Sequence, residues 1–299
     1  MARRTFVAFS SADPIVCDTI SGACETAQSA DHQLTPWNRN DTSGLPIDRS
    51  VFSWVDKADD FIADISEPNH NVTYEVGLAL GSDKPMRFIR AANKDRKVLE
   101  EIGLLHNLGH DDYTGRNQLA EILRRPINPT RWPRPKRNRE QQVYLIRSSA
   151  IHDLLRRTMS GVKKIARLGF RDFNPEEIDR LTATEAFEQV AQSFGVIAIW
   201  HGPDEPESFR QNQRAAFATG VARGLDLPFL LLANADMRLP LDLDELASRW
   251  KTIADIDGIL REFRDDVADA QQSYVDIRPS SGRYLDIGLL GVQIGRAHV

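Results

Sequence analysis

One stretch of the 299-residue chain concentrates the side chains that can do chemistry: Ala58-Asp59-Asp60-Phe61-Ile62-Ala63-Asp64-Ile65-Ser66-Glu67-Pro68-Asn69-His70-Asn71-Val72-Thr73-Tyr74-Glu75-Val76-Gly77. Phe61 to Ile65 is short and apolar, as a buried strand is. Ser66 to Asn71 reads as a loop and Val72 to Leu80 as a helix. Asp64 then falls at the carboxyl end of a strand, where open α/β sheets bind ligands. Asn69 and Asn71 carry amides suited either to polar ligand edges or to capping the helix. Glu75 sits one turn into that helix, where backbone N–H groups and the helix dipole favour an ionised carboxylate. A carboxylate so held is a candidate nucleophile or stabiliser of a developing cation. The plainer readings are a solvated charge for Glu75 and a turn cap for Asp64.

Other residues fill out or narrow that chemistry. Ser10 and Ser11 follow a strand and can offer hydroxyls and N–H groups to a phosphate, or simply cap a helix. Trp37 is either a lid stacking on a base or a partly buried core residue. His106 and His110 flank a loop-like stretch with Asp111 and Asp112, yet lack the partners a zinc or iron site requires, so no metal is assigned. The chain has no G-x-x-x-x-G-K phosphate loop and no legible Ser-His-Asp or Cys-His arrangement, which argues against an ATPase and against those hydrolases.

The elements that would position these groups alternate between strand and helix. Thr5 to Phe9 reads as a strand, and Asp13 as the cap of a helix reaching about Ala27. A polar, irregular segment from Asp31 runs through Trp37 to Gly44. Val51, Trp54, Val55 and Ala58 then mark an amphipathic helix after Pro46, and Pro85 to Ile89 marks a third strand. Such alternation implies βαβ units and parallel sheets. Cys17 and Cys24 lie about two helical turns apart, roughly 10 Å, too far for a disulfide, and read as two buried thiols.

Past a Pro- and Arg-rich segment, Asn128 to Glu140, the pattern restarts. That segment reads as a solvated basic linker. Val143-Tyr144-Leu145-Ile146-Arg147-Ser148-Ser149 echoes Phe6 to Ser11, and Phe194 to Trp200 echoes Phe61 to Ile65. Tyr74 to Gly81 aligns with Phe217 to Gly224, and the following strands keep step, since 218 minus 75 and 228 minus 85 both give 143. This is the signature of an internal duplication. Where the first copy has Glu75, the second has Ala218. Gly77 and Gly81 lie on one helix face and permit close approach of a neighbouring backbone.

The pattern Ala-Asp-x-x-x-Ala-Asp-Ile-Ser-x-Pro-Asn-x-Asn-Val-x-Tyr-Glu-x-Gly-x-Ala resembles the signature of nucleoside 2-deoxyribosyltransferase-like proteins and related TIR-like nucleotide-binding proteins. Phe6 to Asp13 resembles the opening strand and loop of TIR domains. The likeness covers residues 5 to 90 well and the second copy weakly; the segment from Trp37 to Gly44 matches no motif of the family. It implies two tandem flavodoxin-like parallel-sheet domains and cleavage or exchange of an N-glycosidic bond. Glu75 would face the anomeric carbon and Asp64 would close the same crevice as a second catalytic residue. Ser10, Ser11, Trp37, Asn69, Asn71 and Tyr74 would bind substrate. NAD or a nucleotide enters as substrate, with no cofactor. Nicotinamide departs neutral from a cationic ring and needs no general acid, whereas other bases need protonation. One placed glutamate without a clear second acid therefore tilts the reading toward NAD hydrolysis. A role in bacterial antiviral defence is a further implication. The alternatives are a nucleotide sensor signalling to a partner domain and a scaffold assembled through the helices around Gly77 and Gly220.

Composition sets the frame. Hydrophobic residues form 41% and charged residues 27% of the chain, which excludes a disordered protein, and the net charge of -5 gives no bias toward nucleic acid. No run approaches a membrane span and the amino-terminal apolar stretch is too short for a signal peptide, so a cytoplasmic protein that forms a homo-oligomer or acts alone is expected. The expected division is 1–127 for the catalytic domain, 128–140 for the linker and 141–293 for the degenerate copy with C-terminal helices. Residues 294–299, Ile294-Gly295-Arg296-Ala297-His298-Val299, match one frame of a common sequencing-adapter DNA and are expected to be read-through.

Overall fold

A computed structural model describes residues 2–39, 47–128, 132, 134–147, 153–173 and 181–274, apart from the side chains of 39 and 47–50. Asn40 to Gly44 and Pro46 of the polar segment, Ser148 and Ser149, and the tail 294–299 lie outside the described residues. The first half runs β1 (Arg3–Ala8), α1 (Pro14–Ala27), β2 (His32–Pro36), α2 (Ile47–Lys57), β3 (Asp60–Asp64), α3 (His70–Gly81), β4 (Met86–Ala91), α4 (Lys97–Ile102), β5 (Asp111–Tyr113) and α5 (Arg116–Arg124). The second runs β6 (Val143–Ile146), α6 (Asp153–Gly161), β7 (Phe170–Phe173), α7 (Ala183–Ala191), β8 (Gly195–Ile199), α8 (Ser208–Gly224), β9 (Phe229–Asn234), α9 (Leu241–Asp244), β10 (Ala247–Trp250) and α10 (Asp255–Ser273).

Each half forms a five-stranded, wholly parallel sheet flanked by helices. The orders are β2-β1-β3-β4-β5 and β10-β9-β8-β6-β7, the same arrangement read from opposite edges. Asp13 caps α1 by accepting from the Ile15 amide at 2.8 Å, and Asn69 caps α3 by accepting from Val72 at 2.9 Å. Along β3 the side chains alternate between the two sheet faces. Phe61 and Ala63 pack with α3, whereas Ile62 packs with Ile20 and Leu119 on the α1 and α5 side.

The two halves share one hydrophobic core, and its centre is the crossing of α3 with α8, the most extensive helix–helix contact in the chain. A Cβ added at Gly77 would strike the carbonyl oxygen of Phe217, and one at Gly220 would strike that of Tyr74. Gly81 and Gly224 stand in the same reciprocal relation to Val221 and Leu78. Each of these contacts maps onto another through the 143-residue offset, so the crossing is locally two-fold. Cross-half hydrogen bonds flank it: Gln213 Nε2 donates to the Pro68 carbonyl at 3.1 Å, and Arg223 Nη1 to Tyr74 Oη at 2.8 Å.

Three expectations are corrected. The polar segment is not wholly irregular, because His32–Pro36 is an edge strand on β1 followed by a 3-10 turn at Trp37–Arg39. An edge strand needs few apolar residues, and Leu34 is its one fully buried apolar side chain apart from Pro36. Cys17 is only half-buried, while Cys24 is buried. The Pro/Arg segment is not a solvated connector. Trp132 packs edge-on against Phe187 at 5.4 Å, Arg134 donates to the Gly81 carbonyl at 3.2 Å, and Arg137 lies over the rings of Phe194 and Tyr274. Among the described residues, no helix is long and apolar enough to cross a membrane.

Helix propensity alone makes Gly→Ala inside a helix favourable by about 1 kcal/mol. At Gly77 and Gly220 the added methyl meets backbone that cannot step aside, an overpacking cost of about 1–3 kcal/mol. Gly77→Ala and Gly220→Ala are therefore expected to lower stability in chemical denaturation by up to about 2 kcal/mol each. Gly109→Ala, where the methyl would meet nothing within 4 Å, should be close to neutral.

Candidate functional site

The α3–α8 crossing carries α9 of the second half onto the open side of α2 and α3. There it closes a cavity of about 220 Å³ lined by Phe9, Ser11, Trp37, Asn38, Val51, Trp54, Asn69, Asn71, Val72, Glu75, Leu241 and Asp242. Phe9 follows β1 and Asn69 begins α3, so the cavity lies at the carboxyl edge of the sheet, where ligands bind in this class of fold. A more open recess of about 320 Å³, lined by Arg87, His110, Asp111 and Asn128 among others, lies at the opposite, amino ends of β4 and β5. The candidate site is the first cavity, since of the two only that one combines buried carboxylates, amides and aromatic walls.

Glu75 and Asp242 are the core of the site. They are 4% and 3% exposed and come from different halves. Burial, and secondarily the neighbouring Asp242 carboxylate, hold the Glu75 carboxyl well above the usual carboxylate range. A second carboxylate in a desolvated space adds to the cost of ionising the first, so Glu75 binds its proton more tightly than an exposed glutamate does. Helix-dipole stabilisation of an ionised Glu75, expected from its place one turn into α3, is outweighed. The dipole contributes at most about 2 kcal/mol in partly buried sites, and desolvation of a carboxylate exceeds it.

Polar amides and aromatic rings complete the walls. Asn71 Oδ1 is buried without a hydrogen-bond partner, whereas the Asn69 side chain is engaged in its cap and approaches Ser10 Oγ at 3.5 Å. Trp37 packs against Phe9 at 5.9 Å between ring centres, so it both lines the cavity and joins the core. Ser11 reaches the cavity. Ser10 does not line it and accepts from the Ala12 amide at 3.2 Å.

Two expected site residues are directed elsewhere. Asp64 is buried beside β5, accepting from Tyr113 Oη at 2.9 Å, Ser66 Oγ at 3.0 Å and the Ser66 amide at 3.1 Å. It falls on the Ile62 face of β3, opposite α3, because side chains alternate along a strand. Desolvation pushes its carboxyl up to about 6 against the pull of those bonds. Asp64 thus organises the β3–β5 edge and does not line the Glu75 cavity. Tyr74 points to the other half, bonded to Arg223, whose guanidinium stacks 4.5 Å over Phe52. His106 and His110 turn their Nδ1 atoms to the Gly103 and Leu108 carbonyls.

Asp242 is the residue that sequence reasoning missed. Its helix is four residues long, too short for any periodic signal, and its partner lies in the other half. The 143-residue offset places Leu99 in the corresponding position of α4, which packs on α8. The offset thus matches Glu75 of the first half with Ala218 of the second, and Asp242 of the second half with Leu99 of the first. No protein-family model matches this chain, and no curated protein matches it.

An acid with its folded pKa above its unfolded one binds its proton more tightly when folded. Stability is then greatest at low pH and declines as pH rises from the ordinary carboxylate range toward the raised value. Glu75→Gln is expected to flatten that decline and to raise the melting temperature at pH 7–8 relative to wild type, with a smaller gain near pH 5. Asp242→Asn should lower the Glu75 pKa in a carboxyl NMR titration but leave it above ordinary, because burial is the larger cause.

Proposed function

We propose that this chain cleaves or exchanges the N-glycosidic bond of a nucleoside or nucleotide, with the sugar C1 atom held between Glu75 and Asp242. The carboxylate pair, enclosed in a cavity walled by Trp37, Trp54 and Phe9, is the observation that carries the reading. Breaking the C1–N bond leaves an oxocarbenium-like sugar and sends the bonding electrons to the base. The ionised member of the pair stabilises or bonds to C1, and the protonated member donates to the departing nitrogen. Water or an incoming base then takes C1, which returns the proton to the pair. Asn71 and Ser11 offer polar contacts to the sugar hydroxyls, and the aromatic walls suit a base face.

Two revisions follow within that class. A second acid removes the reason for favouring nicotinamide, so bases that need protonation become equally suited to the site. Cavity size adds to this: about 220 Å³ lies below the ~300–1,000 Å³ of pockets for drug-sized ligands. It matches a nucleoside-sized group better than a whole dinucleotide, so NAD would insert only its nicotinamide riboside end. The reading includes the flavodoxin-like ancestry of both halves and their origin by duplication, supported by the shared strand order and the constant offset.

Purified protein incubated with nucleosides, nucleoside monophosphates and NAD should release free base, followed by chromatography. Glu75→Gln and Asp242→Asn are each expected to slow release about 10²–10⁴-fold. Asp64→Asn, outside the cavity, should change it by less than about tenfold while costing about 1–2 kcal/mol of stability through its altered hydrogen bonds. Unchanged release from Glu75→Gln would refute the assignment.

A further inference from the structure

We propose that the second half has a ligand site of its own, an oxyanion site for a phosphate-bearing small molecule built on Arg214, Gln211 and Tyr144. By the 143-residue offset, Arg214 stands where the first half has Asn71, and Ala218 where it has Glu75. Gln211, Arg214 and Ala218 fall at i, i+3 and i+7, so they share one stripe of α8. It is the counterpart of the α3 stripe whose Asn71 and Glu75 line the first cavity.

The three polar residues on and facing this stripe are buried and unsatisfied. Arg214 is 2% exposed, and its guanidinium stacks 4.6 Å over Phe173 at the carboxyl end of β7. Its Nε and Nη1 atoms have no hydrogen-bond partner, nor do Nε2 and Oε1 of Gln211 or Oη of Tyr144. Gln211 and Tyr144 are each 1% exposed. Folding leaves a buried donor or acceptor without a partner only at a cost, and a buried charge at a larger one. Five unsatisfied atoms on three neighbouring side chains therefore require a common explanation. A bound oxyanion supplies it: the guanidinium fork, the phenol and the amide N–H₂ donate to its oxygens, and the amide carbonyl accepts from a ligand hydroxyl.

The local charge balance points the same way. Arg210 is paired with Glu207 at 3.6 Å and Arg147 with Asp172 at 3.3 Å. Among the described residues no carboxylate lies within ion-pair distance of Arg214, and Glu207 acts on it only at longer range. Desolvation, and then the like charge of Arg210, lower its guanidinium to about 10, which leaves it cationic at neutral pH. The α8 stripe of the second half thus carries a buried cation, Arg214, where the α3 stripe of the first carries Asn71 and Glu75. It is fitted to hold an anion and lacks the acids to cleave one.

The test is thermal denaturation of the full chain with inorganic phosphate, pyrophosphate or AMP, against sodium chloride and acetate at equal ionic strength. Wild type should melt several degrees higher with at least one phosphate compound. A shift with inorganic phosphate shows that the oxyanion suffices, and one confined to AMP shows that the nucleoside contributes. Arg214→Met should abolish the shift with inorganic phosphate or pyrophosphate and reduce that with AMP, any AMP shift left belonging to the Glu75 cavity, while melting, without ligand, at or above the wild-type temperature, since it removes an unpaired buried charge. Gln211→Leu should diminish the shift, and Glu75→Gln should preserve it, because the first cavity is separate. No shift in wild type, a full shift in Arg214→Met, or a lower unliganded melting temperature in that variant would overturn the proposal.

Discussion

The α3–α8 crossing is the constraint on which the rest of the molecule depends. Two helices whose glycines abut each other's carbonyl oxygens approach as closely as backbones can, and the shared core closes around them. That proximity has a direct chemical consequence. It brings α9 from one half onto α3 of the other, so that Asp242 and Glu75 line the same cavity. Neither half could assemble this pair alone. The glycines do not line the cavity, yet the close crossing they permit brings its two buried acids together.

The pair also accounts for the unusual electrostatics. A lone glutamate at the start of a helix would be ionised at neutral pH, held there by the dipole and by solvent. Burial and a second carboxylate push the Glu75 carboxyl the other way, because desolvation exceeds what the first turn of a helix provides. Carboxyls raised by burial and a like charge are a common feature of sites that do acid chemistry near neutral pH. Around the stripe of α8 that the 143-residue offset matches to that of α3, the residues are apolar and cationic. Ala218 and Leu99 stand at the positions matched to the acids, and Arg214 at the position matched to Asn71.

Much of this was legible in the sequence. The apolar runs at Phe6 and Phe61, the caps at Asp13 and Asn69, and the glycine spacing in α3 and α8 are local signals, and local physics fixes them. Glu75 stood out because its neighbours form a dense motif. What escaped were features decided by long-range packing. β2 is an edge strand with little apolar content, and β5 is three residues long. Asp64 shares its strand and its motif with the site, yet the alternation of a strand turns it to the opposite face, into the hydroxyls of Tyr113 and Ser66. Asp242 lies in a single turn of helix that gives no periodic signal, and its role exists only once the halves are docked.

A double-mutant cycle on base release tests the central claim most directly, because it asks whether Glu75 and Asp242 act as one unit. Residues that share a proton and a transition state are strongly non-additive. The rate of the Glu75→Gln/Asp242→Asn double variant should therefore match that of the slower single variant within a few-fold. Losses that simply multiply would mean two independent groups and would contradict the shared site described above.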